Sequence, residues 1–310
     1  MSSPAPDNSD SPAGFAYAVS VYVVWGFLPI FMKALAHVPP IEVIAHRVLW
    51  SLPIALAVLI WQRRADDVLV AIRNPRLLAM AALTATLISV NWMIYVWAVG
   101  NGHALDAALG YYINPLFSVF LGATILKERL TPAQIGAIAL AALAVLVLTV
   151  QAGRLPMVAL GLTLTWGFYA YCKKSLPLGP NQGFTLEVLL LMPFALVFLI
   201  WQALNGSPHF ATGSLADTLL LIGCGPVTAI PLLLYANAAK RLRLSTIGIL
   251  QYIAPTMIFL CAVLLFGEPF GTARMIAFPM IWAALVIYSV SLLREGAARR
   301  RAAGVTRRMQ

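Results

Sequence analysis

The sequence predicts an all-α membrane protein of ten transmembrane helices, built as two inverted five-helix halves around a central cavity. Three observations predict it. Hydrophobic residues make up 61% of the 310 and charged residues 10%, which leaves too little polar surface to keep a soluble domain of this length dispersed. The apolar residues fall in ten runs, each near the roughly 20 residues a helix needs to cross about 30 Å of hydrocarbon. Short motifs in the first half recur in the second at a common offset. The runs are continuous rather than alternating, which favours helices over barrel strands.

Residues 1–12, rich in Ser, Pro and Asp and free of Lys and Arg, lack the basic region of a cleaved signal and read as a disordered cytoplasmic tail. The runs follow at 13–32, 42–61, 77–99, 105–126 and 132–150, making a first repeat over 13–150. Those at 155–172, 184–204, 216–239, 244–266 and 272–293 make a second, inverted repeat over 151–293, and a basic cytoplasmic tail occupies 294–310. No loop has room for a soluble domain.

The net charge of +10 could suggest nucleic acid, but its distribution points to topology. Of 21 Lys and Arg, 17 fall in the breaks after runs two, four, six and eight or in the basic tail; Lys33, Arg154 and Arg274 lie on the other side and Arg47 lies within run two. The positive-inside rule then places both termini in the cytoplasm of a bacterial inner (plasma) membrane. The basic tail is expected to meet membrane lipid, not nucleic acid, since no folded recognition module accompanies it. Cys172, Cys224 and Cys261, with His37, His46, His103 and His209, show no metal-like spacing, so neither metal nor cofactor is expected.

The repeat is read from Trp25-Gly26-Phe27 against Trp166-Gly167-Phe168 and Lys33 against Lys174, both at an offset of 141. Further along the offset is 140: Tyr95 with Tyr235, Ala98 with Ala238, Tyr112-Ile113 and Pro115 with Tyr252-Ile253 and Pro255, and Glu128 with Glu268. Five helices cross a membrane an odd number of times, so the second copy inserts upside down, as in many transporters.

Pro115 and Pro255 each remove a backbone bond near mid-membrane, where the freed carbonyl must face protein or water. They are expected to act as gating kinks beside a cavity lined by Tyr111, Tyr112, Asn114, Gln251 and Tyr252, with Asn91, Tyr95 and Tyr235 from the flanking helices. A packing kink is the alternative. Trp25, Trp166 and Tyr169 extend the expected aromatic wall, although the neighbouring glycines suit helix contact as well. Rings with few donors and acceptors suit an amphipathic solute such as an aromatic or large neutral amino acid. His46 and Arg47 read either as a local pair with Glu42 or as a charged site for a substrate carboxylate or a proton. Asp106, Glu187 and Asp217 read as helix-start carboxylates favoured by the helix dipole. With no intramembrane acidic pair, facilitated movement is the expected mode. An intramembrane enzyme would need a nucleophile, a metal or an acid–base pair at depth, and no motif supplies one.

Trp25-Gly26 followed by a proline, Glu42 to Arg47, Tyr112-Ile113-Asn114-Pro115, Glu128-Arg129-Leu130-Thr131 and Gly267-Glu268-Pro269 resemble the drug/metabolite transporter (DMT) superfamily, in particular its EamA-like and RarD-like ten-helix bacterial exporters. The resemblance extends to the aromatic amino acid exporters (YddG-like). It implies alternating access between the halves, a cavity between helices 1, 3, 4, 6, 8 and 9, export of amino acids or efflux of drugs and other metabolites, and a monomer or weak dimer. Glu128 and Glu268 are expected to cap the short links into the helices that follow them.

Overall fold

Proline and polar caps set where the helices begin. The computed structural model describes residues 11–125, 127, 130–206, 208–239, 241–242, 246–247 and 250–308. Among these there are no strands; the elements are α1 (Pro12–Ala34), α2 (Pro40–Trp61), α3 (Ala65–Ile72), α4 (Pro75–Gly100), α5 (Ala104–Ile125), α6 (Pro132–Ala152), α7 (Met157–Ser175), α8 (Pro180–Asn205), α9 (Leu215–Ala239), α10 (Ile253–Leu260) and α11 (Thr272–Arg308). Five of them start on a proline, whose missing N–H is no loss in a first turn. Ser11 and Asn74 accept first-turn N–H groups, and Thr131 with Gln134 forms a reciprocal capping box.

Eight helices are long and apolar enough to cross a membrane: α1, α2, α4, α5, α6, α8, Leu215–Leu232 of α9 and Thr272–Ser291 of α11. The protein is therefore a multi-pass membrane protein. The sixth expected run is α7, 19 residues whose last turn carries Lys173 and Lys174. The ninth is shorter than expected: the chain turns at Gln251 and Tyr252, and α10 and the π-helical turn Cys261–Leu265 follow. Residues 246, 247 and 250 are helical before that turn, and Pro255 sits in the first turn of α10, four residues after Gln251, where the helical path is interrupted; Pro115 lies inside a continuous α5. The short α3 is an addition, with Asp66 and Asp67 in its first turn and Val68 and Ala71 buried. Basic residues after 293 continue α11 as helix to Arg308.

The interior is apolar, as in a soluble protein, but the outer surface is apolar too. Trp61, Phe194 and Leu204 are 75% or more exposed, whereas Glu42, Arg47, Asn91, Asn114 and Glu187 are buried. Lipid accepts the former and cannot hydrate the latter.

Small residues set how closely the helices approach. A Cβ on Gly26 would lie 2.5 Å from Met257, and one on Gly167 would collide with Phe117. Gly167 follows Gly26 by 141 positions and Met257 follows Phe117 by 140, so each half contributes the glycine of one contact and the bulky side chain of the other. Glu268 departs from its expected role. Its two carboxylate oxygens accept the Ala104 and Leu105 N–H groups at 2.7 and 2.9 Å, capping α5 rather than the helix that follows. Gly267, at φ +63°, makes the turn that delivers it. Glu128 lies outside the described residues.

A matched pair of substitutions tests the packing. Gly110→Ala would set a Cβ 2.8 Å from the Ala159 carbonyl oxygen, backbone that cannot give way, and is expected to cost about 1–3 kcal/mol. Gly136→Ala, with open space around it in α6, is expected to gain up to about 1 kcal/mol. Melting temperatures of the detergent-solubilised variants should move in opposite directions.

Candidate functional site

A cavity of about 160 Å³ lies between α1, α2, α4, α5, α7, α8, α9 and the 251–258 segment. That exceeds by an order of magnitude the roughly 10–15 Å³ needed for one water. Its wall is aromatic: Tyr22 and Trp25 from α1, Trp92 and Tyr95 from α4, Tyr111 from α5, Trp166 and Tyr169 from α7, and Phe184 from α8. Edge-on contacts between Tyr111 and Trp166, at 6.3 Å between centroids, and tilted contacts between Trp166 and Tyr169, at 5.7 Å, join the rings into a continuous surface.

Helical periodicity decides which expected residues reach the cavity. Tyr111 and Asn114 share a face and both line it, with Asn91, Gln251 and Pro255. Tyr112, one residue and therefore about 100° further round, points away: its hydroxyl donates to Thr256 Oγ1 at 2.7 Å and its ring packs on Phe278 and Trp282. Tyr252, at the equivalent position of the second half, also lies off the wall and packs against the main apolar core. Tyr235 stands behind the wall, 6.0 Å from Trp25. Pro115 is buried in α5 without touching the space.

The charged positions are redistributed. Glu42 does not pair with His46; its carboxylate accepts from Gln202 Nε2 at 2.6 Å, from the His209 backbone at 2.8 Å and from His209 Nδ1 at 2.8 Å. His46 instead accepts from Trp50 Nε1 at 3.2 Å, packs on Phe210 and stays off the wall. Arg47, one residue on, faces the cavity with its guanidinium 4.6 Å from the Trp92 ring centroid. Asp106 and Asp217 do sit in first turns, paired with Arg274 and His37 at 2.8 Å. Glu187 is no helix-start residue: it lies in the second turn of α8, buried on the cavity wall, ion-paired with Lys173 at 2.6 Å and reached by the Tyr169 hydroxyl at 3.4 Å. Its eight-residue distance from Gly179, with Leu186 and Val188 beside it, was the available signal that it lies inside rather than at the end.

Asn91 ties three helices together at the wall. Its amide donates to the Leu162 carbonyl at 3.1 Å and Thr165 Oγ1 at 2.9 Å, and its oxygen accepts from Tyr111 at 3.3 Å. Three other side chains of the wall carry buried polar atoms with no hydrogen-bond partner among the described residues: Tyr95 Oη, Asn114 Oδ1 and Arg47 Nε and Nη1. Buried groups of this kind cost free energy until something binds them.

Residues 12–150 match the EamA-like transporter family. An uncharacterized transporter of Vibrio cholerae is 44% identical over 96% of this chain and 98% of its own length. The chain belongs to the EamA-like transporter family. Other EamA-like relatives include Protein RarD of Escherichia coli, 38% identical over 91% of this chain and 95% of that protein. Chloramphenicol-sensitive protein RarD of Pseudomonas aeruginosa is 31% identical over 93% and 98%. A solved structure titled "Crystal structure of protein" shares the fold, with a TM-score of 0.60 at 18% identity, covering 92% of this chain and 99% of that one.

Glu42 accepts three hydrogen bonds in this EamA-like protein, so its loss should be felt in stability. Glu42→Ala is expected to cost about 3–5 kcal/mol by leaving His209 and Gln202 unpaired. Glu42→Gln should recover part of that, both read as melting temperature in detergent without substrate.

Proposed function

We propose that this protein exports small amphipathic solutes, foremost aromatic and other large neutral amino acids, across the bacterial inner membrane by alternating access. The carrying observation is the aromatic cavity, whose wall draws on helices from both halves. The rings cover an apolar side chain, and the few unpaired polar atoms fix a head group. In this reading ten segments span, α7 and 253–265 included, the two halves are inverted, and both termini are cytoplasmic. The exchanged glycine contacts of Gly26 and Gly167 support a two-fold relation between the halves, which places each half's glycine against the other half's helix, and the odd number of crossings per half makes that relation an inversion. The protein works as a monomer or weak dimer. Glu187 is the carboxylate on the wall, and Lys173 already balances its charge, which favours facilitated movement over proton coupling. Drug efflux is the second reading, favoured by the name of the Pseudomonas aeruginosa relative, Chloramphenicol-sensitive protein RarD.

The test is efflux from cells loaded with phenylalanyl dipeptides: the protein should lower intracellular Phe, and equal accumulation with and without it would sink the reading. Tyr111→Ala and Trp166→Ala should cut efflux about two- to tenfold, the factor for roughly 0.5–1.5 kcal/mol of aromatic contact, at unchanged membrane expression. In liposomes, Phe flux should persist without an imposed proton gradient.

A further inference from the structure

Arg47 is buried, 4% exposed, about 10 Å along α2 from its start at Pro40. Among the described residues Nε and Nη1 have no hydrogen-bond partner and no carboxylate forms an ion pair with it. The face of Trp92 lies against its guanidinium. A guanidinium held in a membrane interior without a counter-anion is costly, and every other charge on this cavity wall is paired, since Glu187 holds Lys173. Tyr95 and Asn114 belong to the same wall, and the Tyr95 hydroxyl and Asn114 Oδ1 are buried behind its surface with no hydrogen-bond partner among the described residues. The arrangement lacks an anion, and the planar fork of an arginine matches a carboxylate through two parallel N–H bonds.

We infer that Arg47 is the receptor for a carboxylate on the transported solute, with the Tyr95 hydroxyl as a further donor, so that the cavity selects organic carboxylates over amines, amides and uncharged drugs of the same shape. This rests on the transport reading above and deepens it. The aromatic wall takes the ring of the solute while the apolar stem of Arg47 packs on Trp92. Asn114 Oδ1 is an acceptor, suited to an ammonium or hydroxyl where the solute carries one. The ligand-free protein keeps an uncompensated charge for this purpose, so a neutral replacement should raise its stability while removing its selectivity.

The experiment uses the full-length protein in liposomes with four labelled probes of one shape: L-phenylalanine, 3-phenylpropionate, phenethylamine and 3-phenylpropionamide. Wild type should carry the two carboxylates and exclude the amine and the amide by at least tenfold. Arg47→Lys, which keeps the charge and loses the fork, should lose at least tenfold for both carboxylates. Arg47→Met should lose carboxylate flux and melt at a higher temperature than wild type in substrate-free detergent, a direction that a packing role for Arg47 would reverse. Equal flux of all four probes, or normal carboxylate flux through Arg47→Met, would overturn the inference and leave the transport reading standing. A lower melting point for Arg47→Met would assign Arg47 to packing and overturn it as well. Chloride alone raising the melting temperature as much as 3-phenylpropionate does would make Arg47 a resident-anion site and overturn it too. Flux of none of the probes through folded wild type would overturn both readings.

Discussion

Inside a bilayer there is no water to hydrate a polar group, so each one must be bonded by protein or face a cavity. Against that constraint two groups of polar residues stand out. Glu42, Asp106, Asp217 and Glu268 are each bonded to neighbouring helices or loops, and together they fasten helix ends. Arg47, Tyr95 and Asn114 keep unpaired atoms and lie on one cavity. The first set holds the bundle; the second is marked by the cavity it shares rather than by unmet bonds alone, since His46 Nε2, Ser51 Oγ, Gln202 Oε1 and Tyr252 Oη are unpaired among the described residues away from the wall.

The packing that encloses the cavity depends on small residues rather than on hydrophobic driving force, since lipid is as apolar as the core. Gly26 and Gly167 let α1 and α7 close on Met257 and Phe117. Both contacts lie one residue from a cavity tryptophan, Trp25 or Trp166, so the closeness of the helices and the placement of the aromatic wall are one arrangement. Because each contact joins the two halves, a rocking motion of one half against the other would have to slide both together.

Most of the fold was legible because helix length against bilayer thickness is a strong signal: nearly every run appears as a helix within a few residues of its expected bounds. The exceptions have local causes. The ninth run is interrupted at Gln251 and Tyr252, just ahead of Pro255, and the last expected run continues as helix to Arg308. At the site, the three- and four-residue steps of Tyr111, Asn114 and of Asn91, Tyr95 placed those side chains on the wall. Treating every aromatic near a proline as lining misplaced Tyr112 and Tyr252, because neighbouring positions on a helix face different ways. Partners distant in sequence were beyond reach: nothing in the chain announces that Glu42 meets His209, 167 positions away, or that Lys173 meets Glu187 across a loop.

The offset between the halves accounts for why Arg47 is left open. Pro40 and Pro180, Pro53 and Pro193, and Trp61 and Trp201 stand 140 apart, and in that register Arg47 corresponds to Glu187. Both side chains reach the same cavity. Glu187 is neutralised by Lys173 from the preceding helix, and the residue 141 positions before Lys173 is Met32, an apolar side chain buried in the core. The first half thus has a charge at the equivalent place with no partner beside it. The two positions differ in one counter-charge, and that difference leaves the cavity wall with a cationic side at Arg47. A carboxylate-bearing solute would bind there in one orientation, which a cavity with both poles paired could not impose.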